Sequence, residues 1–382
     1  MKKQSLSLIL TFCIIFGIFF CTSAYAQESG TIGADISWIL DDSGTLTISG
    51  YGPMRKCPDE LANYKDKIKN VIIEEGIKSI YEGFFKDSPY IKNIKIPSTV
   101  SFVGVEAFVN CSALENIEVN DSNKDFCTVD GNLYTKDKTK FIAYAIGKSD
   151  TSFVLPESVE IIETLAFFGA KNLAELTFHD NIIRIGMNAF SETAWYNNQP
   201  NGVVYAGKGV YCYKGDLPKN SEVVIVDGTN KIYSHAFSPL HSQSEMKRIY
   251  IPKSVTEIAE DVFGDCPFLQ NIYFAGNEYE FMDIFSGDIE ETEITYDYKE
   301  PKISVIKTTD ESNNVTAVSV TPFCVPDKSA VMLAGFFGNR LSDLQFLPKA
   351  DGVLSFNTTK QADNFEVFVW DGLGTMKPIT KK

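Results

Sequence analysis

The sequence predicts a mainly β protein: a solenoid of repeats of about 23 residues with two hairpin insertions, followed by a small β-sandwich. Two observations predict this class. A phenylalanine preceded by a small or apolar residue recurs along the chain, with isoleucine or valine four residues before each pair. Residues 298–382 instead contain β-branched and aromatic runs separated by Asn, Asp, Pro and Gly, as in a small sandwich. The recurring pairs are Phe84-Phe85, Ala107-Phe108, Ala166-Phe167, Ala189-Phe190, Ala236-Phe237 and Val262-Phe263.

The N-terminus has the pattern of a secretory signal. Lys2 and Lys3 precede an apolar run from Leu6 to Cys21, and Ala24-Tyr25-Ala26 offers the small-x-small cleavage pattern. An uncleaved membrane helix is the alternative, but the run is shorter than the roughly 20 apolar residues that a span needs. We therefore expect residues 1–26 to be removed, the mature chain to be secreted or held at the extracellular surface, and no membrane span to remain.

Residues 27–67 predict an N-terminal β-hairpin cap. Two short strands flank the turn Asp41-Asp42-Ser43-Gly44. The first coil of a solenoid would otherwise expose its apolar edge, and a terminal segment of different composition covers it. We expect Trp38 and Leu46, on the two arms of the hairpin, to cover that edge rather than to bind a ligand.

The repeats occupy residues 68–297. The pairs that begin at Phe84 and Ala107 are 23 residues apart, which sets the length of one coil. A unit of this length with one strand is typical of leucine-rich repeats. Apolar residues at a +3, +2 spacing predict the inward positions of each strand, because side chains alternate across a strand. These positions are Ile68, Val71, Ile73; Ile91, Ile94, Ile96; Leu114, Ile117, Val119; Leu173, Leu176, Phe178; and Leu269, Ile272, Phe274.

Two residue types recur at fixed places within the coil. Asparagine stands just before the central apolar residue, at Asn70, Asn93, Asn116 and Asn271, and predicts a ladder of side-chain amide hydrogen bonds between coils. Cys111 and Cys266 occupy a position that other repeats fill with small residues, which predicts buried thiols. Export permits disulfides without requiring them, and the spacing of the cysteines outside the signal selects no pairing.

The recurring phenylalanine pairs serve as markers of the repeats, and two segments lengthen the interval between successive markers. The first, residues 127–147, has apolar and aromatic runs on either side of 135–140 and predicts a hairpin with its turn there. The second, residues 194–216, predicts a hairpin that turns at 206–209. Its aromatic residues are Trp195, Tyr196, Tyr205, Tyr211 and Tyr213. One interpretation is a platform for a sugar or protein, since insertions in repeat proteins often lie at the binding edge. The other, which we favour, is that these aromatic residues add to the core.

The composition argues against several functions. A net charge of −15 argues against nucleic-acid binding, which depends on neutralising phosphates with Lys and Arg. The sequence has no HExxH, no CxxC, no G-x-S-x-G elbow and no phosphate-binding G-x-x-x-x-G-K-[ST] loop. Glu290, Glu291 and Glu293 are neighbouring carboxylates, but a solvated linker explains them better than a glycosidase pair. We expect no enzymatic activity, no cofactor and no metal site.

The chain resembles the BspA-like leucine-rich repeat family of surface proteins. The resemblance rests on the elements AF-x-x-C-x-x-L and I-x-I-P, on the insertions VDGNLYTKDKTK and TAWYNNQPNGVVYAGK, and on the cap GTLTISGYGPM. The closing segment VFVWDGLGTMKPI resembles a C-terminal β-domain of secreted clostridial proteins. The resemblance implies a bacterial secreted or surface protein, because several members of the family are regarded as adhesins for host matrix proteins or other cells. It supplies no binding residues.

The leading hypothesis is an adhesin-like binding protein that recognises a protein partner, such as a host matrix component, with the outward face of the repeat strands. Scaffolds of this kind suit recognition because strand-face side chains vary without disturbing the core. We expect the face to be one extended sheet surface made of Lys69, Lys92, Lys95, Glu115, Glu118, Glu175, Lys247, Arg248, Tyr250 and Tyr273. The alternatives are a glycan-binding module that uses the aromatic hairpin and a structural envelope protein.

Overall fold

The computed structural model divides into two compact units. The first comprises the described residues up to Lys136 together with Ala145–Lys148, and the second comprises Asp137–Tyr144 and the described residues from Ser149 onward. Among the described residues, strands far outnumber helices, which confirms the mainly β solenoid class. The described residues are 28–217, 220–238, 245–289, 292–299, 302–309, 315–323, 330–337, 340–348, 354–357, 364–370 and 378–381. The predicted signal segment lies outside them.

The first unit contains two sheets that repeat coil by coil. One has the order β1-β2-β3-β5-β7-β9, antiparallel from β1 to β3 and parallel from there on, and the other has the parallel order β4-β6-β8. The elements are β1 (Glu28–Thr31), β2 (Ile36–Leu40), β3 (Thr45–Gly50), β4 (Gly52–Pro53), α1 (Asp59–Ala62), β5 (Asn70–Ile73), β6 (Ile77–Ile80), β7 (Asn93–Ile96), β8 (Phe102–Val103), β9 (Asn116–Val119), β10 (Phe126–Val129) and β11 (Asn132–Thr135).

The N-terminal hairpin forms as predicted. Strands β2 and β3 pair across the turn at Asp41, whose carboxylate accepts hydrogen bonds from the backbone N–H groups of Ser43 and Thr45. Trp38 and Leu46 are buried, and β3 pairs in parallel with β5 of the first repeat. The domain boundaries themselves stay a prediction.

The predicted inward positions of the first unit form its core. Every predicted inward residue from Ile68 to Val119 is buried. The marker rings Phe85 and Phe108 stack with centroids 6.2 Å apart and planes 8° from parallel. The amide ladder is present where Asn93 Nδ2 donates to Asn70 Oδ1 at 2.9 Å. Cys111 is a buried free thiol whose Sγ donates to the carbonyl of Phe85 at 3.1 Å, and Cys266 is also buried.

The first insertion contains two turns. Residues 136–139 form the predicted turn at 135–140, between β11 and the strand Lys140–Ala143. Strands β10 and β11 pair antiparallel across a further turn at Asp130-Gly131, with Val129 opposite Asn132. Asp130 and Gly131 both have positive φ, 49° and 75°, as a two-residue hairpin turn requires. Three hydrogen bonds join this hairpin to β9: Ile117 N–H donates to Gly131 O, Val119 N–H donates to Thr128 Oγ1, and Thr128 Oγ1 donates to Ile117 O.

The second unit continues the repeat pattern. Its parallel strands form the orders β12-β14-β16, β13-β15, β18-β20-β22 and β19-β21-β23-β24, and β17 pairs antiparallel with β18. The elements are β12 (Lys140–Ala143), β13 (Ser152–Val154), β14 (Ile161–Ile162), β15 (Glu175–Thr177), β16 (Arg184–Ile185), α2 (Ala194–Asn197), β17 (Gly202–Ala206), β18 (Gly209–Lys214), β19 (Ser221–Val224), β20 (Lys231–Ile232), β21 (Met246–Ile251), β22 (Glu257–Ile258), β23 (Asn271–Phe274), α3 (Glu278–Ile284) and β24 (Glu293–Thr295). The second hairpin turns between Ala206 and Gly209, as predicted.

The second unit also contains the C-terminal strands, which form two antiparallel sheets of order β25-β26-β29 and β28-β27-β30-β31. Both sheets contribute to one hydrophobic cluster, in which Val318 and Phe356 come from the first sheet and Leu333 and Val367 from the second. The strands are β25 (Lys302–Thr309), β26 (Val315–Phe323), β27 (Ala330–Phe337), β28 (Arg340–Pro348), β29 (Leu354–Asn357), β30 (Asn364–Trp370) and β31 (Pro378–Lys381). Within the described residues, no helix is both long and apolar enough to cross a membrane.

Two backbone features fix the spacing of the coils. The residue before the marker pair has a left-handed conformation in several repeats, with φ between 56° and 62° at Gly83, Glu106, Leu165, Asn188 and His235. Gly104 and Gly186 lie three residues before their markers. A Cβ on Gly104 would lie 2.5 Å from a backbone nitrogen of the preceding coil, and a Cβ on Gly186 would lie 2.3 Å from one. The coils therefore approach one another at these points as closely as only glycine allows.

Candidate functional site

The strand face of the first unit carries exposed charges in register. Lys92 N–H donates to Lys69 O at 2.7 Å, and Glu115 N–H donates to Lys92 O at 2.9 Å, so these exposed residues lie on consecutive coils. Lys95 lies opposite Glu118, with Nζ 3.3 Å from its carboxylate and both side chains more than half exposed. An exposed pair of this kind contributes about 0–1 kcal/mol to folding, so the stability of the fold does not depend on it.

The predicted face is not one continuous sheet. Lys95 and Glu118 lie in the six-stranded sheet, Glu175 lies in the separate pair β13-β15, and Tyr250 and Tyr273 lie in β19-β21-β23-β24. The insertions are the physical reason. In the first insertion, the Thr128 hydroxyl and the Gly131 carbonyl accept hydrogen bonds from backbone N–H groups of β9. In the second insertion, Trp195 N–H donates to Leu173 O, just before β15. The expectation of a single extended sheet face is therefore wrong.

The strand face of the second unit is less exposed than predicted. Glu175 is exposed, whereas Lys247 and Arg248 are half-buried. Arg248 Nη1 lies 3.1 Å from the Glu222 carboxylate. Tyr250 is only 2% exposed, so its predicted exposure is wrong.

An aromatic cluster explains the burial of Tyr250. Its ring stacks on Tyr273 at 4.7 Å, and both rings contact Tyr298, with centroids 5.5 and 4.8 Å away. Tyr298 lies beyond the last repeat marker, in the segment before the C-terminal strands. Tyr250 thus points out of its strand but is covered by residues that follow the repeats.

The second hairpin buries Trp195 and Tyr211, so the platform predicted as an alternative does not form from these two residues. These two residues are 8% and 6% exposed. Trp195 packs against Phe178 and Phe190, with ring centroids 5.4 and 5.2 Å away. Thr193 Oγ1 caps α2 by accepting from Tyr196 N–H at 2.9 Å, which directs Trp195 inward.

Two tyrosine hydroxyls of this hairpin satisfy backbone donors of neighbouring coils. Tyr211 Oη accepts from Phe190 N–H at 3.2 Å, and Tyr205 Oη accepts from Val226 N–H at 3.0 Å. Burial raises the pKa of both phenols well above the usual value. Neutral, hydrogen-bonded and buried groups of this kind hold the hairpin to the solenoid.

A cleft of about 410 Å³ lies beside the hairpin in the second unit. The hairpin side contributes Tyr196, Tyr213 and Asp216, and neighbouring coils contribute Asn188 and Asp265, among other residues. Both carboxylates are exposed, while the two tyrosines are half-buried. The described lining contains no lysine or arginine.

The tyrosine side of the cleft is held rigidly. Lys214 Nζ donates to the carbonyls of Tyr196, Asn197 and Gln199, at 2.9, 2.8 and 2.6 Å, and lies 5.1 Å from the centre of the Tyr196 ring. Burial lowers the pKa of Lys214. These bonds fix the end of α2 against β18, so Tyr196 is positioned before any ligand arrives.

Sequence reasoning singled out Tyr196, Tyr211 and Tyr213, which line the cleft, but missed the polar residues opposite them. Asn188, Asp216 and Asp265 come from segments far apart in sequence, and no local motif joins them. Burial raises the pKa of the Cys212 thiol, which also lines the cleft, to about 12. In the described part of the chain, no three His, Cys, Asp or Glu side chains gather in a geometry that would hold a metal ion.

Comparison with known families gives one match. The model of the BspA type leucine-rich repeat region matches six copies, over residues 58–129, 143–269 and 207–307. A search of curated proteins finds no matching relative.

Several solved structures resemble the chain at low identity. A leucine-rich repeat protein from Eubacterium ventriosum is 17% identical, with 75% of this chain and 99% of that chain covered and a TM-score of 0.30. A leucine-rich cell surface protein from Faecalibacterium prausnitzii is 19% identical, with 68% and 98% covered and a TM-score of 0.32. The pneumococcal vaccine antigen PcpA is 20% identical, with 60% and 57% covered and a TM-score of 0.34.

Proposed function

The chain belongs to the BspA-type leucine-rich repeat family, and from this premise we propose that it is a secreted or cell-surface bacterial binding protein that recognises a protein partner. Proteins built from leucine-rich repeats generally bind other proteins. The observation that carries the proposal is the exposed, in-register charge on the first unit, formed by Lys69, Lys92 and Glu115 and by the pair Lys95 and Glu118. A host matrix component is the partner class we propose.

The mixed charge of this face favours a partner of complementary charge pattern. Exposed charges at the rim of an interface mainly raise the association rate and set specificity, and salt weakens their effect. Ile72 lies next to Lys95 in the register and is 37% exposed. A groove of about 520 Å³ runs past Ile72, Lys95 and Glu118 and offers apolar contact between the charges.

The test compares two triple variants of the purified protein. One replaces Lys69, Lys92 and Lys95 with alanine, and the matched control replaces the exposed lysines Lys56, Lys124 and Lys171, so both lose the same net charge. Binding to an immobilised panel of host matrix proteins is measured at two salt concentrations. We expect the face variant to bind at least tenfold more weakly, mostly through a slower association rate. Equal binding by both variants would refute the face assignment, and self-assembly without a partner would favour a structural envelope protein.

We also propose that the C-terminal strands form a small β-sandwich that acts as a spacer or attachment module. The support is the hydrophobic cluster to which both sheets contribute. If a variant that ends at residue 299 still binds matrix protein but no longer stays on cells, the attachment role is supported. Loss of matrix binding with normal cell association would contradict it.

A further inference from the structure

We propose that the cleft beside the second hairpin is a binding site for an uncharged saccharide. This site differs from the strand face in position and in ligand class, so it goes beyond the protein-binding function proposed above. The inference rests on the size of the cleft, the chemistry of its lining and the rigidity of its tyrosine side.

Size and preorganisation suit a small ligand. The volume of about 410 Å³ falls within the range of about 300–1,000 Å³ typical of small-molecule sites. Lys214 holds the end of α2 through three carbonyls, so the tyrosine wall needs no ordering on binding. A preformed wall lowers the entropic cost of binding.

The lining offers both acceptors and donors. The exposed carboxylates of Asp216 and Asp265 accept hydrogen bonds, and Asp265 already accepts one from Ser238 Oγ at 2.6 Å. The Asn188 side-chain oxygen lies 3.3 Å from Ser191 Oγ, and its amide nitrogen is a further donor. Sugar hydroxyls donate and accept at once, so they match a lining of both kinds.

The same lining discriminates against other ligands. The described lining has two exposed carboxylates, no lysine or arginine, and one histidine, His235, whose Nε2 lies 3.0 Å from the Asp261 carboxylate. This lining disfavours phosphates, sulfates and uronic acids, because like charges repel. A basic side chain needs acceptors only and would leave the asparagine amide unused. Tyr196 and Tyr213 line the cleft and are half-buried, and aromatic side chains combine apolar area, which suits a sugar ring, with a polar tip.

The test uses the purified protein on an array of neutral oligosaccharides, acidic oligosaccharides and an arginine-rich peptide. The double variant Asp216→Ala with Asp265→Ala removes the acceptors, and Tyr196→Leu removes the ring while keeping an apolar side chain. The matched controls are Asp125→Ala with Asp283→Ala and Tyr279→Leu, all at exposed positions outside the cleft. Thermal unfolding verifies that each variant is folded.

We expect the protein to bind at least one neutral oligosaccharide and both cleft variants to bind it at least tenfold more weakly. The control variants and the triple variant of Lys69, Lys92 and Lys95 should bind it as the unaltered protein does. Binding of acidic oligosaccharides or of the peptide alone, no binding to the array, or neutral binding that the cleft variants leave unchanged would each overturn the proposal. Failure of matrix binding with intact saccharide binding would instead refute only the strand-face function.

Discussion

Replacing Trp195 by alanine should remove a central part of the core beneath the second hairpin. The ring is 8% exposed and packs against Phe178, Phe190 and Tyr211, with centroids 5.4, 5.2 and 6.3 Å away. A ligand platform would require an exposed ring. The substitution therefore separates a structural role from a binding role at this residue.

The magnitude follows from the burial. A large aromatic side chain buries about 150–250 Å². At about 25 cal/mol per Å², this corresponds to about 4–6 kcal/mol, which is an upper estimate because the unfolded chain is not fully extended. Buried tryptophan-to-alanine changes cost about 3–5 kcal/mol, and we expect Trp195→Ala to lower the free energy of unfolding by that amount.

Urea unfolding, followed by circular dichroism, measures the loss, and hydrogen exchange of the amides in residues 173–214 locates it. Tyr279→Ala is the control, since Tyr279 is 80% exposed and should change stability by less than about 0.5 kcal/mol. A loss below about 1 kcal/mol for Trp195→Ala, with unchanged exchange in this segment, would refute the core assignment. For the same reason, weaker ligand binding by Trp195→Ala would not identify a binding site.

Three further substitutions or measurements test the coil geometry. Gly186→Ala should destabilise the protein by about 1–3 kcal/mol, because its Cβ would lie 2.3 Å from the Thr164 nitrogen. The control Gly264→Ala, whose Cβ has its nearest contact at 3.5 Å, should be neutral or slightly stabilising. Similar melting temperatures for the two variants would contradict this. Asn110 has a φ of 60°, so Asn110→Gly should be more stable than Asn110→Ala by about 1 kcal/mol in urea unfolding, and the reverse order would exclude a left-handed conformation. Burial raises the pKa of the Cys111 thiol to about 12, so it should resist iodoacetamide at pH 9 in the folded protein and react once unfolded; rapid labelling of the folded protein would show that the thiol is accessible.

The repeat core could be predicted from sequence because periodic burial leaves a periodic pattern. Ile94 and Ile117 face inward as their spacing requires, and Asn70 and Asn93 join through their amides. The left-handed residues before the markers could not be predicted, since positions as different as Leu165 and Asn188 share that conformation.

Two features were not predicted, for reasons that lie at particular residues. The pairing of β10 with β11 across Asp130-Gly131 was missed because the hairpin was placed around the polar, lysine-rich run at 135–140, although Asp-Gly is itself a strong hairpin signal. The burial of Tyr250 depends on Tyr298, which lies outside the repeat and has no periodic relation to it. The cleft likewise combines Asn188, Asp216 and Asp265 from separate segments, so only the folded chain brings them together.

The contact between the first hairpin and β9 also bears on how molecules of this protein behave at high concentration. An unpaired strand edge is a template on which a second chain can add a strand, and such additions propagate into aggregates. In β9, the N–H groups of Ile117 and Val119 are already taken by Gly131 and Thr128 of the hairpin. Thr128 also supplies a side-chain hydroxyl where an incoming strand would need a backbone group. The insertion thereby closes the β9 edge of this sheet to strand addition, whatever further role it has.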